Sequence, residues 1–196
     1  MKDDDKKPLI AGVERSLPFP FRRKRLDWSA ELPETTIAIR LDRSRFSGEY
    51  TIQLGVHPKE FVNPYYAFKR EDISTYGARL WGERLVPAGT DLRCFDVDVP
   101  MEAADREHGV AGVIALVVPS LLNWSTLEGL RALAADPKLA HHVHDSLTQW
   151  LGVPLRELPP GTRTLEREGP PATPLELPPH WTLVDGVIVR PYEPRE

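Results

Sequence analysis

The amino-acid sequence predicts an α+β fold: an antiparallel meander sheet of four to five strands with helices packed on one face, plus a C-terminal hairpin. Apolar and polar residues alternate over residues 37–41 and 50–56, as they do in strands with one buried face. After Met101 the apolar spacing lengthens to that of helices. Near the end, Asp185-Gly186 separates two short apolar runs, and this dipeptide favours a tight hairpin turn.

The strands are predicted in chain order from the alternation. The first lies around Leu26 and Trp28, and the next two, at 37–42 and 50–56, are joined by a loop short enough for an antiparallel hairpin. Residues 76–85 and 92–99 complete the sheet. In the last segment alternation separates two sets of side chains: Phe95, Val97 and Val99 on one face, and Cys94, Asp96 and Asp98 on the other.

Three helices are predicted after the sheet, at residues 102–118, 125–135 and 137–151. Pro119 should end or kink the first, because proline has no N–H to donate to the preceding turn. Gly152 should end the third.

The chain is predicted to divide into an N-terminal extension (1–18), an α+β domain (19–152), a proline-rich linker (153–180) and a terminal β-hairpin (181–190). Pro18 and Pro20 oppose a long helix in the extension, because each proline favours an extended conformation in the residue before it. The chain has 20 prolines, about twice the average share, and they crowd into the linker. We therefore expect extended chain there.

Composition limits the class of protein. Apolar residues make up 41% and charged residues 28%, which is typical of globular proteins. The net charge of −4 provides no long-range attraction to nucleic acid or to an anionic membrane. The single cysteine, Cys94, cannot form an internal disulfide, and the start MKDDDKKPL lacks the apolar core of a signal peptide. We therefore expect a cytoplasmic protein with no membrane association and no cofactor.

Polar residues collect on the sheet face opposite the predicted core. Alternation places five of them on a face that we expect the helices to leave uncovered: Arg40, Asp42, Gln53, Asp96 and Asp98. They carry mixed charge, and the chain has no Gly-rich phosphate loop, nucleophile elbow or His-Glu-x-x-His motif. We therefore predict a non-enzymatic protein-binding module with no catalytic or metal-binding residue. Bacterial neutralising proteins of immunity type offer an analogy in size and polar surface.

A nucleic-acid-binding protein is the first alternative. The basic run Arg22, Arg23, Lys24 and Arg25 lies between Phe21 and Trp28, and surfaces that bind nucleic acid combine basic and aromatic residues in this way. The same run also suits an edge strand, on which exposed charges discourage pairing between sheets.

A metal-dependent hydrolase is the second alternative. Asp96 and Asp98 are two residues apart, so on a strand both carboxylates would project from one face. With His57 and Asp42 they could hold a divalent metal ion.

Two further residue groups are weaker candidates. His141 and Asp145 would be one turn apart on the third predicted helix, where they would form a pair on its outer surface beside His142 and His144. Cys94 would share a strand face with acidic side chains, which should raise the pKa of its thiol and weaken it as a nucleophile.

The order of four segments resembles a family of bacterial proteins. These are "PFRRKRLDW", "IAIRLDRSRFSGEYTIQLGV", "ARLWGERLVPAGTDLRCFDVD" and "VVPSLLNWSTLEGL". Together they are similar to domain-of-unknown-function family 4304 over residues 19 to about 150. The chain departs from the family pattern at Asp42, where the family has Gln, and at Pro18 and Pro20, which shorten the first helix. The resemblance implies the fold and assigns no site residue.

Overall fold

The computed structural model describes residues 6–64 and 67–155, together with the strand segments 182–184 and 187–189. The chain divides into two compact units, residues 1–156 and 157–196. The first unit holds the sheet and the helices, and the second holds a two-stranded hairpin.

A five-stranded antiparallel sheet in the order β1-β2-β3-β4-β5 forms the centre of the first unit. Its strands are β1 Arg22–Lys24, β2 Asp27–Glu31, β3 Thr35–Arg43, β4 Tyr50–Pro58 and β5 Ala78–Trp81. Each strand pairs with the next along the chain, so the predicted meander is confirmed. The basic run forms the edge strand β1 and the turn after it, where Arg25 has a φ of 61°.

One face of the sheet carries the main apolar core. The register puts Ile39 between Trp28 and Leu54, and all three are almost fully buried. Helices α1 Lys7–Ser16, α2 Ala103–Asn123, α3 Leu127–Ala135 and α4 Asp145–Trp150 contribute their buried side chains to the same cluster. The alternation that predicted strands β3 and β4 therefore also identified the face on which the helices pack.

Helix α1 is absent from the predicted elements. It ends before Pro18, and Pro8 lies in its first turn, where the missing N–H costs nothing. Leu9 and Val13, one turn apart, are fully buried. At Gly12 a Cβ atom would lie 2.7 Å from the backbone oxygen of Glu107, so glycine is what allows α1 to approach α2 this closely.

Helix α2 continues past the predicted end at residue 118. Pro119 lies inside it, and both Pro119 and the residue one turn earlier, Ala115, are exposed. The carbonyl that loses its N–H partner thus faces water, which can replace the hydrogen bond. In the described part of the chain no single helix is long and apolar enough to cross a membrane; α2 and α3 pass that test only as a pair bent by 102°.

The helix predicted over residues 137–151 is interrupted. A 3-10 turn at Ala140–His142 precedes α4, and between them Val143 is extended and bridges to Ala78. The N–H of His144 donates to the carbonyl of Gly77 at 2.8 Å. This segment pairs with the outer edge of β5, and that pairing replaces the helical hydrogen bonds that the apolar spacing suggested.

The strand predicted over residues 92–99 is also absent. Its centre is a 3-10 turn, Arg93–Phe95, in which the consecutive residues Cys94 and Phe95 are both buried, and a strand with one buried face cannot do this. Arg106 of α2 holds the segment. Its guanidinium, only 6% exposed, donates to the carbonyls of Cys94 at 2.9 Å, Asp96 at 2.7 Å and Val99 at 2.7 Å.

In the second unit, β6 Thr182–Val184 and β7 Val187–Val189 pair antiparallel, which confirms the predicted C-terminal hairpin. The register pairs Thr182 with Val189, Leu183 with Ile188 and Val184 with Val187. From residue 156 onward, the predicted proline-rich linker lies outside the described residues.

Replacing Arg106 with Leu should destabilise the protein by about 3 kcal/mol or more, because three backbone carbonyls would lose their charged donor. Urea unfolding of wild type and variant measures the difference. Arg93→Leu is the matched control: Arg93 is exposed and pairs with Asp91 at 2.7 Å, so its replacement should lower the free energy of unfolding far less than that of Arg106. Equal losses in the two variants would contradict the role given to Arg106.

Candidate functional site

The sheet face that was predicted to be uncovered is partly covered. Residues 68–76, which we call the covering segment, lie across this face of the sheet. Ile73 and Tyr76 of this segment pack on Ala38 in a second, smaller apolar cluster. At Gly55 a Cβ atom would lie 2.8 Å from the ring of Tyr76, so the covering segment is close to the sheet. The expectation of an open polar face was therefore wrong over this half of the sheet.

Three of the five predicted binding residues do lie on this face. Arg40 is half-buried and donates to the carboxylate of Asp27 and to the carbonyl of Glu71. Asp42 is exposed and accepts a hydrogen bond from the amide of Gln53 at 3.1 Å. The hydrogen bond from Arg40 to Glu71 thus links the sheet to the chain just before Ile73. Asp42 and Gln53 lie at the margin of the sheet face that this segment leaves open.

Asp96 and Asp98 lie elsewhere, because the strand that would have aligned them with Arg40 does not form. Asp96 bridges to Glu49, just before β4, and its carboxylate accepts the N–H of Asp98 at 3.0 Å. The carboxylate of Asp98 accepts the N–H of Gly48 at 2.7 Å. Both residues brace the β3–β4 loop.

The loop that they brace, residues 43–49, presents the most exposed large apolar side chain among the described residues. Phe46 is 98% exposed. Its N–H donates to the hydroxyl of Ser44 at 3.2 Å, and the N–H of Ser44 donates to the carbonyl of Glu49 at 2.8 Å. The N–H of Val97 donates to the carbonyl of Gly48 at 3.1 Å. We call residues 43–47 the hairpin tip.

Two arginines precede Phe46 at the hairpin tip. Arg43 and Arg45 are exposed, and within residues 6–64 and 67–155 neither forms an ion pair. An exposed aromatic ring beside two arginines can insert into an apolar pocket while the guanidinium groups pair with carboxylates around that pocket. The sequence contained Arg-Phe in a hairpin loop, but only the structure shows that the Phe46 side chain is almost fully exposed.

His57 and the two aspartates of the metal hypothesis are far apart. Asp96 is level with Glu49, and His57 lies eight residues further along β4, which is about 25 Å at the rise of a strand. His57 is buried, and its ring stacks on Phe68 with centroids 3.9 Å apart. No group of three or more His, Cys, Asp or Glu in the described residues could hold a metal ion.

The imidazole of His57 is neutral in the folded protein. Its Nε2–H donates to the carbonyl of Phe61 at 3.2 Å, while its buried Nδ1 has no hydrogen-bond partner among the described residues. Burial lowers the pKa of His57 to about 4, against a smaller opposing effect of the hydrogen bond to Phe61. His57 is thus part of the core beneath the covering segment.

The histidines at 141 and 142 face Arg84, whereas the sequence had suggested a helical pair of His141 with Asp145. The rings of His141 and His142 are 3.9 Å apart, and the Nη1 atom of Arg84 lies 3.2 and 3.3 Å from their Nε2 atoms. Asp145 begins α4 beyond the extended residue Val143.

The basic run is divided between the two faces of the sheet. Arg22 and Lys24 point toward the covering segment, and Arg23 points to the helical side, where it pairs with Glu14 of α1 at 2.8 Å. Strand alternation therefore separates charges that are contiguous in sequence. A phosphate backbone on either face would meet only part of the run.

Cys94 is buried, and the pKa of its thiol is raised to about 11. The direction agrees with the prediction, but the main cause is burial, and the charge of Asp91 is secondary. A thiol of this kind is a poor nucleophile at neutral pH.

Acid should destabilise the protein through His57. The folded state binds a proton at this ring only near pH 4, whereas the unfolded chain does so at about pH 6.5, so the free energy of unfolding should fall as pH drops from about 6.5 to 4. The share due to His57 is up to about 3 kcal/mol. Urea unfolding of wild type and His57→Gln across this range measures it. A pH dependence that is unchanged in His57→Gln would contradict the assignment.

Comparisons with known proteins identify no relative from which a function could be inferred. No protein-family model matches the chain, and neither the curated proteins nor the solved structures include a match. The resemblance to domain-of-unknown-function family 4304 therefore stays a prediction.

Proposed function

We propose that the protein is a non-enzymatic protein-binding module and that it contacts its partner through the hairpin tip, residues 43–47. The observation that carries the proposal is Phe46, whose side chain is 98% exposed on a loop that is braced from two sides. Burying an aromatic side chain of this size against a partner contributes about 2–3 kcal/mol. While the ring remains exposed to water, this contribution is not realised.

The bracing contacts favour binding because they reduce the entropy lost when the tip is immobilised. Asp98 holds the N–H of Gly48, and Val97 holds its carbonyl. A Cβ atom on Gly48 would lie 2.5 Å from the carboxyl carbon of Asp98, so the carboxylate fits against a position with no side chain. The aspartates predicted as contact residues thus support the proposal in a different role, as residues that position the tip.

The chemistry of the tip defines the partner. Phe46 requires an apolar pocket, and Arg43 and Arg45 favour carboxylates at the rim of that pocket. Aromatic residues and arginine are enriched among the residues that carry most of the binding energy in interfaces. Neutralising proteins of immunity type offer an analogy in size and polar surface, and this analogy is part of the proposal.

Replacing Phe46 with Ser should weaken partner binding about 30-fold or more, the loss typical of a central aromatic contact, and leave stability unchanged. The partner is first recovered from an extract of the source cells on immobilised wild-type protein. Its affinity for each variant is then measured by calorimetry. Asp98→Ala should weaken binding by a smaller factor, because it frees the loop and keeps the ring.

Val62→Ser is the matched control, since Val62 is 84% exposed and lies far along the chain from the tip. It should leave the affinity unchanged. The proposal fails if Phe46→Ser and Val62→Ser bind the partner equally well. It also fails if the tip binds vesicles of anionic lipid and no protein.

A further inference from the structure

A second surface, at the β5 edge of the sheet, forms an open groove of about 250 Å³. It lies where the end of β5 meets the 3-10 turn Ala140–His142. The residues that line it are Gln53, Arg79, Leu80, Trp81, His141 and His142. The groove plays no part in the proposed protein contact.

The groove is lined by one arginine, Arg79, and a second, Arg84, lies behind its wall in contact with His141 and His142. Neither Arg79 nor Arg84 forms an ion pair in the described part of the chain. Of the carboxylates near the groove, Asp42 accepts from Gln53 at the groove wall, and Glu83 accepts the N–H of Ile52. Two guanidinium groups that lack a carboxylate partner provide what a bound oxyanion requires.

The contact of Arg84 with the histidines is weak for a guanidinium. A guanidinium only donates, so the Nε2 atoms of His141 and His142 must both accept, and both rings must be neutral. A single Nη1 atom is shared between them at 3.2 and 3.3 Å. An anion that accepts from Arg84 would form a charge-assisted hydrogen bond in place of this shared one.

A flat aromatic surface lies beside the charge. Trp81 is 40% exposed and stands directly opposite Gln53 in the β4–β5 register. Exposed tryptophan rings stack on nucleobases, and a glutamine amide can donate to and accept from the edge of a base. The volume suits one such group and is below the usual range for larger ligands.

We propose that this groove binds a phosphate monoester that carries an aromatic base, of the mononucleotide class, with its phosphate at Arg84 and its base on Trp81. The phosphate accepts hydrogen bonds from the N–H groups of Arg84 that, in the free protein, contact the imidazoles of His141 and His142. Gln53 meets the edge of the base, and Arg79 adds charge at the groove wall. This inference is independent of the protein-binding function.

Binding should be coupled to uptake of a proton. A phosphate next to two neutral Nε2 lone pairs is repelled unless one ring is protonated, in which case it becomes a donor. In the free protein the pKa of His142 is lowered, first by burial and then by the proximity of His141 and Arg84, against an opposing hydrogen bond to the backbone of Arg79. A bound phosphate dianion would raise the pKa of His142. Affinity should therefore rise as the pH falls from about 8 to 6.5, above the second pKa of the phosphate near 6.

Other charged residues near the turn Ala140–His142 are accounted for by their own contacts or exposure, so we expect the pH dependence of nucleotide affinity to follow the two histidines. The charged residues of the elements packed against it are Arg79 of β5, Arg84, and Glu128 and Arg131 of α3. Arg131 donates to the carbonyl of Leu151 at 3.1 Å, and Glu128 is exposed in the first turn of α3. Asp136 and Lys138 precede the turn, and the carboxylate of Asp136 accepts the N–H of Lys138 at 2.7 Å.

Titration of the full chain with adenosine 5′-monophosphate, followed by tryptophan fluorescence and calorimetry, tests the proposal. We expect saturable binding with a Kd below about 1 mM and quenching of Trp81. Adenosine and inorganic phosphate should each bind at least about tenfold more weakly, since each lacks one of the two contacts. A short single-stranded oligonucleotide with a 5′-phosphate distinguishes a free nucleotide from the end of a strand.

Arg84→Gln should weaken nucleotide binding about tenfold or more and abolish the proton uptake seen in buffers of different ionisation enthalpy. Trp81→Leu should remove the quenching. Trp150→Phe is the control, because Trp150 is also 40% exposed but packs on Phe61 with ring centroids 5.8 Å apart. It should change neither readout. The proposal is overturned if the wild type shows no saturation, or if Arg84→Gln and Trp81→Leu bind as the wild type does.

Discussion

The buried guanidinium of Arg106 is the interaction on which the rest of the functional architecture depends. It extends from α2 to the carbonyls of Cys94, Asp96 and Val99 and donates a hydrogen bond to all three. A segment with period-two spacing is thereby held as a turn, with Cys94 and Phe95 both in the core. A charge is costly to bury unless its donors are used, and here they are used to fix the backbone.

The position of that segment decides what the β3–β4 hairpin can do. Asp98 and Val97 hold the two backbone polar atoms of Gly48, and Asp96 bridges to Glu49. The contacts therefore run from α2 through the turn to the loop that carries Phe46. The exposed ring is attached to the core by hydrogen bonds at every step, which is why we place the contact with a partner there.

The two faces of the sheet have different roles. The helices cover one face, and residues 68–76 cover half of the other, with His57 buried beneath Phe68 and Tyr76. What remains open lies at the margins: the hairpin tip, and the groove between the end of β5 and the 140–142 turn. Because the covering segment buries the centre of this face, the side chains that a ligand or partner can reach lie at the edges of the sheet.

The sequence by itself determined the meander, the helical face and the terminal hairpin. Alternation in β3 and β4 reports which face is buried, and Asp185-Gly186 reports a turn; both signals are local. Local patterns misassigned residues 92–99, where Arg106 supplies a side-chain donor to carbonyls that would otherwise need a neighbouring strand. They also misassigned residues 137–151, where Val143 pairs with the edge of β5.

Only the tertiary structure decided where the candidate sites lie. Phe46 was visible in the sequence as a loop residue, but its exposure depends on which segments pack beside the loop. Arg84, His141 and His142 meet across more than 50 positions of sequence, and no spacing rule connects them. Periodicity shows that a face is buried or polar; the residues that meet it from elsewhere in the chain depend on the packing of the whole fold.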